Sequence, residues 1–473
     1  MSTDKRKSPR PANSRPAQRK QGPRRPPEVD AARQAAFDTL RAVRSKDAYA
    51  NLVLPELLRE RRVTGRDAAL ATELAYGTAR LSGLLDEIVA ACSDRPPSAM
   101  DGDVLDALRI GTYQLLRTRI PPHAAVTSTV DLARLAAGSH VAGFVNAVLR
   151  RVSAAGEPEW VEQLAPARDT DPIGHLGMRT AHPGWIVRAF AEALGDTGAE
   201  LEAALEANNV RPDVHLAARP GAISADELAA ITGGEVAPYS PYGVRLEPGG
   251  GDPAESGPIS EGLAAVQDEG SQLCARAAAE YPLDGTDARW LDLCAGPGGK
   301  TRVLGALAAL SGAELDAVEP AEHRARMVRD AVPDLPVTVH VTDGRESGLR
   351  PGYDRVLVDA PCTGLGALRR RPEARWRRVP GDVAGLTRLQ TELLSAAMDL
   401  VRPGGVVCYV VCAPHLAETE GVVADLLRKA DAHRVDARPL FAGVPGLGDG
   451  PDVQLWPHRH GTDAMYCALL QKS

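Results

Sequence analysis

The sequence predicts an α/β protein: a doubly wound parallel sheet, preceded by an all-helical bundle and a small α/β insert. In the first third of the chain, apolar residues recur at three- and four-residue spacing, which is typical of amphipathic helices. From Gln267 onward, short apolar runs alternate with helical stretches, and this alternation favours a parallel sheet covered by helices. The apolar residues make up 44% of the chain and few of them are aromatic, which is enough for ordinary cores of Ala, Leu and Val.

Residues 1–28 are predicted to be a disordered basic arm. Residues 1–27 hold nine Lys or Arg against one acid, which leaves 46 basic and 61 acidic residues in the rest of the chain. The arm has one large apolar residue, Met1, and therefore cannot bury a core. A basic arm on an acidic body favours a polyanionic partner, and a tail that only keeps the protein soluble explains the same composition equally well.

Residues 29–155 are predicted to form a bundle of amphipathic helices joined by short links. One apolar face begins after Thr64, a predicted N-cap, and two more faces follow along the chain. The residues that define the three faces are Leu70, Leu74, Leu81, Leu84, Leu85 and Ile88; Val104, Leu105, Leu108, Leu115 and Leu116; and Val141, Phe144, Val145, Val148 and Leu149.

Residues 156–180, rich in Glu, Pro and Asp, are predicted to be a linker to a small α/β subdomain at 181–266. That subdomain is expected to contain one helix over residues 185–205 and a strand over Val214–Ala218. Residues 267–473 are predicted to form the sheet domain. Its predicted strands are ARWLDL, ELDAVE, PVTVHV, DRVLVDA and VVCYVV, and its first helices span residues 301–310 and 321–330.

The loop after the first of these strands, LDLCAGPGGKT at residues 291–301, predicts a ligand-binding turn. Glycines let the backbone approach a ligand closely, and the helix that begins near Lys300 offers free N–H groups to a carboxylate. The loop is not a Walker A phosphate loop, because Cys294 stands where the first glycine is needed. It is not a G-x-G-x-x-G loop either, because Thr301 stands where the last glycine is needed.

An acidic residue closes each of the next three predicted strands: Glu319, Asp343 and Asp359. Parallel strands end at a common edge of their sheet, and open α/β sheets bind their ligands there. Glu319 ends the second strand, where an acid is placed to accept hydrogen bonds from ribose hydroxyls. Each acid alone is equally typical of a surface carboxylate or a helix cap. The three acids together with the glycine-rich loop predict a nucleoside-binding site.

These motifs resemble those of the RNA 5-methylcytosine methyltransferases of the RsmB/Sun (Fmu) family. The resemblance rests on LDLCAGPGGKT, DAPCTGLGALRRRPEARW, GGVVCYVVCAPHLAETE, VQDEGSQL and WPHRHGTDAMYCALL. In the helical region, IPPHAAVTSTVDLA and GFVNAVLRRV resemble the NusB-like RNA-binding domain that RsmB proteins join to the methyltransferase. The resemblance covers the chain from about residue 30 to the C-terminus. It implies a Rossmann-like methyltransferase domain behind an all-α NusB-like bundle.

The resemblance also implies S-adenosyl-L-methionine as the cofactor, and no metal. By motif position, the first loop would hold the methionine end, Glu319 the ribose and Asp343 the adenine. Asp359 would lie near both the cofactor and the target base. The loop residues implied are Cys294, Ala295, Gly296, Pro297, Gly298, Gly299 and Lys300.

Methylation of cytosine at C5 requires covalent catalysis, because C5 is a poor nucleophile. A thiolate that adds at C6 turns C5 into an enamine carbon able to attack a sulfonium methyl; a base then removes the C5 proton, and elimination frees the enzyme. The resemblance implies Cys412 as the nucleophile and Cys362, in the D-A-P-C motif, as the residue that assists product release. Asp359 of the same motif is the third predicted catalytic residue. Cys274 and Cys408 are expected to be inert, buried thiols.

One departure from the family pattern lies beside the predicted nucleophile. The family has Thr-Cys-Ser there, whereas residues 411–413 of this chain are Val-Cys-Ala, so both flanking hydroxyls are missing. The change is consistent with altered thiol activation or with a non-catalytic RNA-binding protein. Because Cys412, Cys362 and the acids Glu418 and Glu420 remain, enzyme activity is the favoured interpretation.

Residues 369–378, RRRPEARWRR, follow Cys362 closely and are predicted to contact RNA. Arginine binds phosphate bidentately and stacks on bases, so a basic segment beside the catalytic loop is where an RNA backbone is expected. A charge run is more often only a solvated face, but its place in an acidic body favours RNA. The predicted RNA contacts are Arg369, Arg370, Arg371, Arg375, Arg377 and Arg378.

The favoured function is therefore cytosine-C5 methylation of 16S ribosomal RNA. The alternatives are the same chemistry on transfer RNA or another ribosomal site, and a non-catalytic ribosome-assembly factor; a NusB-like antitermination factor leaves the methyltransferase motifs unexplained. Seven cysteines without a C-x-x-C pair indicate free thiols and a reducing, cytoplasmic setting. No apolar stretch reaches the roughly 20 residues of a membrane span, so a membrane partner is not expected.

Overall fold

The N-terminal part of the chain is a helical bundle. The computed structural model describes residues 29–247, 253 and 256–473, so the predicted basic arm lies outside the described residues. The bundle core contains apolar residues from all three predicted faces, among them Leu74, Leu108 and Leu149. The helices are α1 Ala31–Lys46, α2 Ala50–Glu60, α3 Gly65–Ala91, α4 Gly102–Arg117, α5 Pro122–Ala137 and α6 Ala142–Val152. Helix α3 begins after Thr64, which has extended N-cap backbone but makes no side-chain capping bond.

Residues 156–207 are helical as well. The predicted linker at 156–180 contains two helices, and the single helix predicted over 185–205 is wrong because the structure has two shorter helices there. Gly195 ends the first of these with φ 64°, in the left-handed region that favours glycine at a helix C-terminus. The helices are α7 Glu157–Leu164, α8 Pro172–Thr180, α9 Gly184–Leu194 and α10 Ala199–Ala207.

A small antiparallel sheet follows the helices. Its elements are β1 Val214–Ala218, α11 Ala225–Thr232, β2 Glu235–Val236, β3 Gly243–Leu246, α12 Gly257–Ser260 and β4 Ala264–Val266. The strand order is β2–β3–β1–β4, and each neighbouring pair is antiparallel. Helix α11 begins with a capping box in which Ser224 and Glu227 satisfy each other's backbone N–H groups. Leu216, Leu228 and Val244 are buried between this helix and the sheet.

The C-terminal domain is built on a larger, mostly parallel sheet. Its elements are α13 Glu269–Glu280, β5 Arg289–Asp292, α14 Gly299–Ser311, β6 Glu314–Val318, α15 Glu322–Ala331, β7 Val337–His340, β8 Tyr353–Asp359, α16 Ala374–Arg377, α17 Gly381–Leu400, β9 Val401–Val411, α18 Glu420–Leu427, β10 Ala432–Val435, β11 Val453–Gln454, α19 Pro457–His460 and β12 Tyr466–Lys472. The main strand order is β7–β6–β5–β8–β9–β12–β10. Strands β5 to β9 are parallel, and β12 runs antiparallel to β9.

This topology confirms the predicted α/β fold and places the switch in strand order between β5 and β8. From β5 the chain passes to β6 and β7 on one side, and then returns to β8 and β9 on the other. Loops that follow β5 and β8 therefore diverge and leave a crevice at the carboxyl edge of the sheet. No helix in the described part of the chain is both long and apolar enough to cross a bilayer.

Strand β9 separates two apolar cores. Cys408 and Val410 face the core that contains α13 and α14, whereas Tyr409 and Val411 face the core that contains α17 and α18. Because side chains alternate along a strand, Cys412 continues the first of these faces. Cys408 is fully buried, as predicted for an inert thiol.

Residues 369–378 join the domains. Arg375 is fully buried, and its guanidinium donates to the carbonyl oxygens of Ala181 (3.0 Å) and Asn208 (3.2 Å) and to Oδ1 of Asn209 (2.8 Å). Trp376 lies at the bundle, where its Nε1 donates to the carbonyl oxygen of Arg80 (3.1 Å).

The neighbouring arginines are held in the same way. Arg369 and Arg370 both contact Asp463, and Arg370 also pairs with Asp268 at 2.7 Å. Arg377 donates to main-chain carbonyl oxygens in the loop between α1 and α2, including that of Ala48 at 2.7 Å. The bonds of Arg369 and Arg370 with Asp463 and Asp268 lie within the sheet domain, whereas those of Arg377 connect this domain to the helical bundle.

The RNA contacts predicted for this run are corrected accordingly. Arg369, Arg370, Arg375 and Arg377 direct their guanidinium groups at protein acceptors, because burial leaves each charge to be satisfied internally. Arg371 is exposed and Arg378 is half-buried, and for these two residues RNA contact stays a prediction.

We expect Arg375→Ala to lower the free energy of unfolding by about 3 kcal/mol, because it leaves three buried acceptors unpaired and opens a cavity. Urea unfolding of the full chain, followed by circular dichroism, measures the change. Arg378→Ala is the matched control, since the Nη1 of Arg378 lies 3.9 Å from Asp382 at the surface; it should cost less than about 1 kcal/mol. Equal losses for the two variants would contradict a special role of Arg375.

Candidate active site

Three loops meet at the carboxyl edge of the large sheet, after β5, β8 and β9. The strands are adjacent and parallel, with Asp292 opposite Leu357 and Asp359 opposite Val410. The register therefore brings the D-A-P-C loop and the loop that begins at Cys412 to the same point. The main chain continues this pairing beyond the strands, because the N–H of Ala360 donates to the carbonyl oxygen of Val410 at 3.0 Å.

The two predicted catalytic cysteines are in contact. The Sγ atoms of Cys362 and Cys412 lie 3.4 Å apart, and both side chains are half-buried. The hydrogen bond from Cys362 lowers the pKa of the Cys412 thiol and outweighs burial and the charge of Asp359, which act in the opposite direction. The same hydrogen bond and burial raise the pKa of Cys362 well above its ordinary value. The pair is therefore arranged to hold its negative charge on Cys412, the form that acts as a nucleophile.

A lysine–aspartate ion pair lies beside the thiols. Nζ of Lys300 is 2.8 Å from Oδ2 of Asp359. Burial disfavours the charged amine, but the carboxylate of Asp359 outweighs it and raises the pKa of Lys300, which stays an ammonium. That positive charge also acts to lower the pKa of Cys412. The structure thus brings a residue of the glycine-rich loop, a residue of the D-A-P-C motif and the predicted nucleophile together.

The glycine-rich loop forms a close turn against the end of β6. The N–H of Gly296 donates to Oε2 of Glu319 at 3.2 Å, and a Cβ at position 296 would stand 2.3 Å from that oxygen. Gly298 has φ 109°, which favours glycine, and α14 begins at the next residue. Because α14 is a full-length helix, its first N–H groups point into the turn. The turn consists of Cys294, Ala295, Gly296, Pro297, Gly298, Gly299 and Lys300.

Two acids predicted to hold a nucleoside are placed differently. Glu319 is 2% exposed and accepts from the N–H groups of Gly296 and Ala321, and its Oε2 also lies 3.4 Å from Nη2 of Arg324. Its Oε1 retains a further lone pair, and the expected contact of Glu319 with a ribose stays a prediction. Asp343 also follows its strand, but its carboxylate pairs with Arg345 at 2.7 Å and accepts that residue's N–H. The expected contact of Asp343 with adenine stays a prediction.

Cys294 packs in the turn, where burial raises the pKa of its thiol well above the ordinary value. Its protonated thiol is half-buried against the core that contains α17. Cys294 therefore differs from Cys412, whose pKa is lowered. Among the described residues, no group of three or more His, Cys, Asp or Glu side chains is arranged to hold a metal ion.

Sequence reasoning missed Asp292, the acid that closes β5. Its side chain is buried and accepts from the hydroxyl of Thr301 (2.7 Å) and the N–H of Cys294 (3.4 Å), which fixes both ends of the glycine-rich turn. The signal was present in the sequence, since Asp292 ends its strand just as Asp359 does.

Gly366 was also missed. Its N–H donates to the carbonyl oxygen of Cys412 at 2.9 Å, and a Cβ there would meet the carbonyl oxygen of Ala464 at 2.0 Å. This glycine allows the loop after β8 to approach the nucleophile. No short sequence pattern reveals such an approach, because its partners are about 50 and 100 residues away in the chain.

Two family models match this chain. The model of the family "16S rRNA methyltransferase RsmB/F" matches residues 282–471, and that of the NusB family matches residues 30–154. Rv1407 of Mycobacterium tuberculosis, named as a methyltransferase without a stated substrate, is 59% identical over 455 residues, 96% of this chain and 99% of the relative.

Two further comparisons extend over most of the chain. Ribosomal RNA small subunit methyltransferase B of Pseudomonas putida is 34% identical over 453 residues, 93% of this chain and 98% of the relative. The crystal structure of PH0851 matches 94% of this chain and 99% of its own, with a TM-score of 0.78 and 22% identity, which shows the fold.

Asp292 gives a pH-dependent prediction. Burial raises the pKa of this carboxyl to about 7. Between its ordinary pKa and 7 the folded chain keeps a proton that the unfolded chain releases, so its contribution to stability is lost as pH rises. We expect wild-type stability to fall, relative to Asp292→Asn, by about 4 kcal/mol from pH 4 to pH 8.

Urea unfolding of both proteins at several pH values tests this expectation. Groups that titrate identically in the two proteins cancel in the difference between them. Parallel stability curves would show that Asp292 ionises normally in the folded protein.

Proposed function

The chain belongs to the RsmB/F family of 16S rRNA methyltransferases, and we propose that it methylates C5 of a cytosine in 16S ribosomal RNA through a covalent Cys412 adduct. The observation that carries the proposal is the Cys362–Cys412 contact of 3.4 Å beside the Lys300–Asp359 ion pair. A thiol pair with unequal pKa values at a nucleoside-binding edge is suited to covalent catalysis on a base.

S-adenosylmethionine fits the glycine-rich turn and the end of β6, and when bound it supplies the methyl group. We propose that the first N–H groups of α14 receive its carboxylate and that Glu319 receives its ribose hydroxyls. Gly296 has no side chain that would clash with Glu319, and the hydrogen bonds of Asp292 with Cys294 and Thr301 hold the turn in place. Asp343 is proposed to approach the adenine.

Cys412 is proposed to act first, by adding its thiolate to C6 of the cytosine. The hydrogen bond from Cys362 and the ammonium of Lys300 both favour that thiolate. Asp359 holds Lys300 in place and lies beside the thiols, where it can also contact the target base. Once C5 carries the methyl group and has lost its proton, Cys362 is placed to assist elimination, because it already bonds to the sulfur that must leave.

Val411, the first residue of the Val-Cys-Ala triplet, does not stand where a hydroxyl would contact the nucleophile. Val411 is fully buried among apolar residues on the face of β9 opposite to that of Cys412, and Ala413 is fully buried too. A hydroxyl at position 411 would therefore lie in the core that contains α17 and not beside the Cys412 sulfur. The non-catalytic alternative thus loses part of its support, and we favour an enzyme.

The RNA is proposed to enter between the bundle and the catalytic loops. Arg371 is exposed, its guanidinium lies 5.0 Å from the ring centroid of Tyr49 in the bundle, and its charge acts to lower the pKa of Cys412. It is therefore placed to bind a phosphate close to the target base. The base must leave its stack to reach the thiols, so single-stranded or loop RNA is expected. The small-subunit substrate is proposed from the names of the relatives.

Labelled methyl transfer to unmodified small-subunit RNA tests the proposal. Wild type should label C5 of one cytosine, and Cys412→Ala should lower the rate at least about 1000-fold because the nucleophile is gone. Cys362→Ala should transfer a methyl group once and then remain attached to RNA as a band that survives denaturing electrophoresis.

Cys408→Ala is the control for this pair, since Cys408 is a buried cysteine on the same strand and should keep full activity. Label on transfer RNA alone would support the same chemistry on another substrate. Folded protein that binds cofactor but labels no RNA would contradict the proposed enzyme.

Arg371→Gln should weaken RNA binding by about 3- to 10-fold and reduce the slope of log affinity against log salt by about 1, because one phosphate contact is lost. Filter binding at several salt concentrations measures both quantities. Arg428→Gln, which changes an exposed arginine after α18, should leave them unchanged. An identical response of the two variants would exclude Arg371 from the RNA site.

A further inference from the structure

Glu418 is a buried carboxylate in the loop after β9, six residues beyond Cys412. It has no exposed surface, and no Lys, Arg or His within the described residues lies close enough to form an ion pair with it. A buried charge is stable only when hydrogen bonds replace its lost hydration. The donors that supply these bonds identify the part of the molecule that this carboxylate holds.

The first donors belong to the residue after Cys362. The N–H of Thr363 donates to Oε1 of Glu418 at 2.8 Å, and the hydroxyl of Thr363 donates to Oε2 at 2.5 Å. Both oxygens of the carboxylate therefore bind the same residue of the D-A-P-C-T loop. This arrangement fixes the peptide on the C-terminal side of Cys362.

The second donor is Gln390, a buried residue of α17. Its Nε2 donates to Oε1 of Glu418 at 3.0 Å and to the carbonyl oxygen of Pro361 at 2.8 Å. Pro361 precedes Cys362, so the peptide on the N-terminal side is fixed through the same carboxylate. Tyr409 completes the arrangement, since its hydroxyl donates to the main-chain oxygen of Glu418 at 2.7 Å.

We propose that Glu418 is the positioning residue for Cys362: its carboxylate holds the peptides on both sides of that cysteine and keeps the side chain a thiol directed at Cys412. The inference rests on the proposed function for its consequence in catalysis, but the placement of Cys362 is a property of the free protein. Glu418 touches neither reacting atom and acts through Cys362.

The charge of Glu418 strengthens this role. Its negative charge is one of the causes that raise the pKa of Cys362, after the hydrogen bond with Cys412 and burial. A proton retained on Cys362 is the proton that stabilises the Cys412 thiolate. By raising the pKa of Cys362, Glu418 therefore increases the difference between the pKa values of the two thiols. The charged groups that act most strongly on the pair are Glu418, Asp359, Lys300 and Arg371, and the titratable hydroxyl of Tyr409 also lies close to Cys362.

Alkylation of the free, full-length protein by iodoacetamide tests the positioning. Mass spectrometry follows Cys362 and Cys412 separately from pH 6 to pH 11. In Glu418→Gln, which keeps the size of the side chain and removes its charge, the alkylation midpoint of Cys362 should move to lower pH. Glu418→Asp, which restores the charge, should return the midpoint towards the wild-type value. Glu420→Gln removes a neighbouring exposed acid and should leave it unchanged.

A second measurement distinguishes methyl transfer from product release, the step that Cys362 is proposed to assist. With labelled cofactor and small-subunit RNA, Glu418→Gln should slow product release at least about tenfold and slow the first methyl transfer by a smaller factor, because Cys362 assists release directly and affects the Cys412 thiolate only through their shared hydrogen bond. The covalent RNA adduct should accumulate, as in Cys362→Ala. Thr363→Val, which removes one of the three hydrogen bonds to the carboxylate, should change both readouts in the same direction by less and serves as the test if Glu418→Gln does not fold.

An unchanged Cys362 midpoint in folded Glu418→Gln would overturn the proposal, as would equal slowing of methyl transfer and release. If the wild type labels no RNA, the proposed methyltransferase reaction fails, whereas the alkylation midpoint still decides whether Glu418 controls Cys362.

Discussion

The parallel pairing of β8 with β9 is the constraint on which the rest of the site depends. It sets Asp359 opposite Val410 and so brings the loops that carry Cys362 and Cys412 to one point. A one-residue slip in this register would turn every side chain of β9 to the opposite face and remove Cys412 from its partner. The buried residues on both faces of β9 oppose such a slip, since each face belongs to a separate apolar core.

Around this contact, the protein arranges charge so that the two thiols differ. Lys300 acts on Cys412, whereas Glu418 acts on Cys362, and the hydrogen bond between the sulfurs transmits each effect to the other residue. Buried carboxylates and an ammonium this close together are costly to desolvate, and their bonds to neighbouring N–H and hydroxyl groups offset that cost. Asp292 and Glu418 have similar structural roles. Asp292 forms hydrogen bonds that hold the glycine-rich loop, and Glu418 forms hydrogen bonds that hold the loop after β8.

The segment at 369–378 connects this chemistry to the rest of the molecule. It begins seven residues after Cys362 and ends against the helical bundle, with Arg375 and Trp376 bonded to different domains on the way. The helical bundle is therefore attached to the segment that follows Cys362, and this attachment fixes the position of the bundle relative to the thiols. Arg371 is the member of the run that remains exposed beside Cys412 and Tyr49.

The sequence by itself determined the α/β fold, the strand ends that carry the acids, and both cysteines. These features are local, because periodicity, glycine-rich turns and residues that follow a strand can be recognised within a short window. The tertiary structure decided the rest. The sequence predicts an RNA surface in the run of arginines, and only the contacts with Asp268, Asp463 and Asn209 show that most of these side chains bind other parts of the protein. The same holds for Glu418, whose partners Thr363 and Gln390 are 55 and 28 residues away in the chain. Charge patterns show which residues can form bonds, whereas the choice of partner depends on burial, and burial is a property of the folded chain.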